Sequence, residues 1–227
     1  MNLLKKNDIQ HKLRISAPLL VFMVFYMIWF SALEQNTGSH YHVIYSSLDS
    51  LIPFCEYFIV PYFLWFAFVP AIMIYLLFAD ETAFRRTSLI LMAGMLFFLI
   101  TSTIYPTILY LRPAEMPNDN IFCQMVVRLY QTDTPTNVAP SIHVFNTLVV
   151  LEALHTCRGR LARNPLVLIA ANVLSLLIVL ATMFLKQHSV LDVLSACIMF
   201  IAIVWCVDQF DFYEVRKPAR VRDDITA

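Results

Sequence analysis

Charge is scarce in this chain. Only 14% of its 227 residues are Asp, Glu, Lys or Arg, against about a quarter in soluble domains, which excludes an ordinary water-soluble globule. Glycine is scarcer still, at three residues. That is too few for a glycine-rich loop that cradles a phosphate with backbone amides, so an anion site here must use side chains and helix ends. The five cysteines are scattered singly: Cys55, Cys197 and Cys206 in apolar runs, Cys157 in a basic loop and Cys123 in a long polar loop. Such spacing offers no paired-cysteine metal site and no disulfide framework; small apolar packing is the expected role. The net charge is zero, so no excess of either sign points to nucleic acid or an acidic partner. No internal repeat or low-complexity tract is present.

Apolar surface is what the chain has in quantity. Hydrophobic residues make up 59% of it, and the mean hydropathy is +0.69. Six apolar runs follow one another: Ile15 to Leu33, Pro53 to Ala79, Thr87 to Leu111, Ser141 to Thr156, Pro165 to Leu185 and Ser189 to Val207. Most reach the roughly 20 residues that cross a hydrocarbon core of about 30 Å. The fourth is shorter, roughly 24 Å of helix, so Ser141 and His143 at its start are expected below the membrane surface. The first run follows Lys5, Lys6, Lys12 and Arg14, but it is too long for a signal peptide and lacks a small-x-small cleavage site. Asp80 to Arg86 is expected as a tight turn, and Arg112 to Pro140 as a long polar loop with four prolines, Pro113, Pro117, Pro135 and Pro140. The expected fold is all-α, a six-helix transmembrane bundle forming a single domain over residues 1–227, with a basic leader (1–14) and a basic tail (211–227).

Basic residues set the orientation. Of sixteen Lys and Arg residues, thirteen fall in segments that share one side: the leader, Arg85 and Arg86, Arg158, Arg160 and Arg163, and the tail's Arg216, Lys217, Arg220 and Arg222. By the positive-inside bias both termini are cytoplasmic. The remaining three, Arg112, Arg128 and Lys186, fall on the outer side together with His143 and His188. Cations gathered around two histidines at one bilayer face suggest that an anion is handled there.

The histidines differ in what their neighbours offer. His188 precedes Asp192 by four residues, so both lie on one face of a helix's first turn, where the carboxylate can orient one imidazole nitrogen and leave the other free to act as nucleophile or base. The plainer reading is a capped helix end with an interfacial ion pair. His143 follows Pro140-Ser141 at another outward-facing helix start, and alone it reads as an interfacial histidine. Ser141 and Ser189 suit N-caps, and both helices direct their electropositive ends outward. His11, His40, His42 and His155 read as solvated or interfacial, and Glu56 and Glu152 as structural.

Arg112-Pro113, then Pro140-Ser141-Ile142-His143, then His188-Ser189-Val190-Leu191-Asp192 resemble, in order and on one face, the three signature motifs of the type 2 phosphatidic acid phosphatase superfamily. They are similar also to the inositol phosphorylceramide and sphingomyelin synthases, which share the two histidines and the aspartate. The resemblance implies a hydrolase or phosphotransferase of lipid metabolism. His188 would attack phosphorus to form a phosphohistidine, Asp192 would orient it, and His143 would protonate the departing oxygen. Arg112 and Ser141 would bind phosphate, with no metal and no other cofactor.

Four positions depart from the family pattern. Its lysine falls on Tyr105, its Ser-Arg pair falls on Ala181 and Thr182, and its glycine is Ile142. Lys186 and Arg128 are the remaining outer cations, so they are expected to supply the missing charge, with Tyr105 donating a phenolic hydrogen bond. The expected substrate is a lipid phosphate or diphosphate; headgroup transfer between lipids is the alternative. The location expected is a bacterial cell membrane with the site on the extracytoplasmic face. An anion or proton transporter, and a metal hydrolase using His143, His188 and Asp192 as ligands, are the readings from other classes.

Overall fold

The computed structural model describes residues 6–35 and 40–210. The start of the basic leader, through Lys5, and the basic tail with Arg216, Lys217, Arg220 and Arg222 lie outside the described residues. Within them are seven helices: α1 (Lys6–Gln35), α2 (Ile59–Ala79), α3 (Glu81–Ile104), α4 (Ile121–Thr132), α5 (Ile142–Thr156), α6 (Pro165–Phe184) and α7 (Val190–Phe210). Five of these, α1, α2 with the 3-10 turn before it, α3, α6 and α7, are long and apolar enough to cross a bilayer. Val21, Ile28, Leu166 and Ile198 are between 68% and 74% exposed. Side chains so apolar and so exposed need acyl chains rather than water around them. The chain is a mostly helical, membrane-embedded protein.

The shortest of the apolar helices is the central one. α5 has 15 residues and packs against α2, α3, α6 and α7, with Val144, Phe145, Val149 and Val150 wholly buried. Neighbouring helices satisfy its surroundings, so it needs no bilayer-spanning length of its own. Its approach to α3 depends on Gly94, where an added Cβ would stand 2.1 Å from the Phe145 ring.

The structure corrects several expected boundaries. The third run ends at Ile104, because Pro106 disfavours the helical region for Tyr105, which sits at φ −133°, ψ 71°. Residues 107–108 instead form strand β2 (Thr107–Ile108), parallel to β1 (His42–Val43). The turn expected over Asp80 to Arg86 contracts to Asp80, whose side chain caps α3 by accepting from the Ala83 amide at 3.1 Å. Arg85 and Arg86 are therefore helical. The second run enters through a 3-10 turn, Glu56–Phe58, before α2, and α1 takes in part of the expected leader, including Lys12 and Arg14.

The largest correction lies between Arg112 and Pro140, where the polar loop contains α4. Asn120 caps it, accepting from the Cys123 amide at 2.9 Å, and Cys123, Val126 and Leu129 form its buried stripe. This helix packs over one end of the bundle against α2 and the 3-10 turn before it. Glu56 ties the same region together by accepting from the Asn118 and Asn120 amides at 2.8 and 2.9 Å. The segment that follows is pinned to β2: the Asn137 amide donates to the Thr107 carbonyl at 2.6 Å and the Leu109 amide to that of Pro135 at 2.9 Å. It thereby delivers Asp133 to Pro140 to the start of α5.

Candidate active site

Two helix starts and one helix end meet at this end of the bundle. α6 finishes in a Schellman arrangement: the Lys186 amide bonds to the Met183 carbonyl at 3.0 Å and the Gln187 amide to that of Thr182 at 2.9 Å. Lys186 occupies the left-handed position at φ 55°, where a side chain costs roughly 1 kcal/mol. Its ammonium is held by the carbonyls of Asp49, at 2.9 Å, and Ile52. Burial lowers its pKa from the ordinary lysine value, and Asp49 opposes that shift. The Lys186 side chain thus secures the turn that presents His188.

Asp49 secures the other side of the same turn, and nothing in the sequence reading pointed to it. Its carboxylate accepts from the Ser189 hydroxyl at 2.6 Å, the Val190 amide at 2.8 Å and the Ser46 amide at 2.7 Å. It therefore caps α7 from a distant loop. The only local sign was Ser46 three residues before Asp49, a capping-box spacing.

His188 and Asp192 lie as their spacing predicted, with Nδ1 3.4 Å from the Asp192 Oδ2. Asp192 is fully buried, and Oδ2 also accepts from the Ser189 amide at 2.8 Å. Among the described residues the His188 Nδ1 has no hydrogen-bond partner, so the Asp192 carboxylate faces it without bonding to it. Ser141 caps α5, accepting from the Val144 amide at 3.4 Å, and its own amide donates to the Asp192 carbonyl at 3.2 Å. The two helix starts are thus joined directly.

His143 stands in the first turn of α5. Its ring lies 4.5 Å from that of Trp65, 4.8 Å from that of Tyr62 and 5.7 Å from that of His188. The Trp65 indole donates to its carbonyl at 3.1 Å, fixing the backbone, while the buried Nδ1 has no hydrogen-bond partner among the described residues. Both histidines line a cavity of about 30 Å³, room for about one water. Phe30, Phe98 and Ile142 give it an apolar wall; Asp133, Thr134, Asn137 and Gln187 give it a polar one.

No family model, curated protein or solved structure matches this chain. What the site can do therefore has to be argued from its own residues.

Arg112 reaches the cavity through intermediaries. Its guanidinium donates to the Gln187 side chain at 2.5 Å and to the carbonyls of Asp133 and Tyr130 at 2.6 and 3.2 Å, and it lies 4.3 Å over the Tyr130 ring. Its buried Nε has no hydrogen-bond partner among the described residues. Burial draws its pKa below the usual guanidinium range, chiefly opposed by Asp133. None of the five expected phosphate-binding residues is in the cavity lining: Arg112 stands behind Gln187, and the Ser141 hydroxyl is turned to the Val144 amide. The Lys186 ammonium is bound to carbonyls, Arg128 is exposed on α4, and Tyr105 stacks on His42 at 3.8 Å. Among the described residues, no three His, Cys, Asp or Glu side chains meet in a metal-ligating group.

Proposed function

We propose that this chain is a membrane-embedded lipid phosphate phosphatase of the type 2 phosphatidic acid phosphatase kind, working through a phosphohistidine. The observation that carries the reading is the meeting of an Asp-oriented histidine with a second histidine, ring centres 5.7 Å apart, around one cavity with an apolar wall. The His188 Nε2 attacks phosphorus, the bond from phosphorus to the lipid oxygen breaks, and His143 gives that oxygen its proton. Water then attacks the phosphohistidine, returning its proton to His143 and releasing phosphate. Arg112, acting from behind Gln187, offsets the charge on the equatorial oxygens. In this reading α5 is the sixth span, both termini are cytoplasmic, and the cavity opens on the outer face.

Headgroup transfer is the second reading, favoured by Asp133. A carboxylate lining the cavity opposes a dianionic monoester more than a monoanionic diester, and an acceptor alcohol would then take the place of water.

The test is phosphate release from lipid phosphates and diphosphates in detergent, with chelator present, comparing wild type with His188→Ala. Release that survives chelation and is lost in the variant supports the phosphatase. A headgroup that moves between lipids while free phosphate never appears shifts the reading to transfer. Neither activity from any lipid overturns both.

A further inference from the structure

Each histidine in the cavity needs a different kind of help, and only one has an adjacent carboxylate. In the reading above, His188 attacks as a neutral imidazole, and Asp192 at 3.4 Å orients it. His143 has to carry a proton before transfer, which makes it a cation among the rings of Tyr62, Trp65 and Phe66. A charge so enclosed is costly unless an opposite charge faces it.

The groups facing His143 come from several elements. His188 and Asp192 belong to the α6–α7 turn and α7, and Asp192 is committed to His188 and the Ser189 amide. Arg112 lies behind Gln187 and Asp133. Glu34 of α1 accepts from the Thr134 hydroxyl and is not in the cavity lining. Tyr62 of α2 packs its ring on His143 and donates its hydroxyl to the Asp133 Oδ2 at 2.6 Å. Gln187 lies 3.5 Å from the same oxygen. Among the described residues, Asp133 alone of the acidic side chains lines the cavity with both histidines.

We infer that Asp133 is the charge partner of His143: a positioning residue that, with Tyr62 placed between ring and carboxylate, keeps the imidazolium available to protonate the leaving oxygen. The inference rests on the phosphohistidine reading and extends it. The two histidines then differ in role because each answers to its own carboxylate, Asp192 for the nucleophile and Asp133 for the acid. Asp133 ends α4, so the helix unseen in the sequence exists in part to deliver this carboxylate.

The test compares wild type, Asp133→Asn, Tyr62→Phe and His188→Ala on a lipid phosphate with an alkyl leaving oxygen and on 4-nitrophenyl phosphate, whose leaving group needs no proton. Asp133→Asn is expected to lower kcat on the alkyl substrate about 10-fold to 100-fold, as for loss of general acid catalysis. KM stays within about threefold, and the alkaline limb of the kcat profile moves to lower pH by about one unit or more. The loss on 4-nitrophenyl phosphate is much smaller. Tyr62→Phe keeps the ring and shows the same pattern more weakly, which guards against a fold defect in the first variant. Equal losses on both substrates, or a pH profile that does not move, overturn the role of Asp133 and leave the phosphohistidine reading standing. Undiminished turnover in His188→Ala, or none in wild type, overturns both.

Discussion

The two ends of the helix bundle treat their charges in opposite ways. Away from the histidines, Arg86 of α3 donates to Asp208 of α7 at 2.7 and 2.8 Å and to Glu152 of α5 at 2.7 Å. Beside it Arg85 pairs with Glu81 at 2.9 Å, and the Asp80 carboxylate receives the Arg158 amide at 2.9 Å. At the histidine end, Nδ1 of His143, Nδ1 of His188, Nε of Arg112 and Oδ1 of Asp192 are all buried without a hydrogen-bond partner among the described residues. Buried polar groups are nearly always satisfied, and groups left otherwise call for a reason. A satisfied network holds three helices in register, whereas unsatisfied groups in and behind a cavity fit the proposed phosphate site. On the proposed function, the same residue types serve architecture at one end and chemistry at the other.

Substitutions at the two ends should separate along that line. The largest expected effect is at His188: alanine there lowers turnover by at least about a thousandfold. It leaves thermal stability in detergent unchanged or slightly raised, because a poorly satisfied buried group is removed. A large drop in melting temperature would break the comparison. Asp49→Ala comes next, and it crosses the divide. It leaves the Ser189 hydroxyl and the Val190 amide without their acceptor, costing about 2–3 kcal/mol, and it loosens the turn carrying His188, so turnover and melting temperature fall together.

Arg86→Ala is the mirror of the histidine substitution. It strands Glu152 and Asp208, but these are 25% and 39% exposed, so solvent moderates the loss to about 1–2 kcal/mol. Turnover per folded molecule stays at the wild-type value when activity is normalised to the folded fraction. The smallest effects separate the two remaining cations of the histidine end. Arg128→Ala is expected to change neither KM nor stability beyond about 0.5 kcal/mol. Lys186→Ala lowers the melting temperature by freeing the 49–52 loop, without a matching rise in KM. A several-fold rise in KM for either one would restore its expected part in binding phosphate.

Much of the bundle was legible because its signal is local. Long apolar runs locate the helices without reference to anything distant, and the four-residue step from His188 to Asp192 is set by helix pitch alone. α4 is harder to read because it has only 12 residues, too few for a span, and its amphipathic stripe of Cys123, Val126 and Leu129 is set between polar, proline-bearing flanks. The overextended third run failed for a different reason. Ile104 to Leu111 is apolar enough to continue a helix, but Pro106 stops it, and hydropathy carries no term for backbone geometry.

The sequence by itself determined that the chain is membrane-embedded and helical, where most helices lie, and that His188 and Asp192 share one face. Tertiary structure alone decided which other groups join them. Ser189 meets Asp49 across 140 positions, Tyr62 meets Asp133 across 71, and Arg112 meets Gln187 across 75, while Lys186 turns away to backbone carbonyls. Helix periodicity is a property of neighbouring residues and can be read along the chain. Pairing between distant groups depends on how helices pack and where loops fold back, and that is settled only when the whole core is assembled.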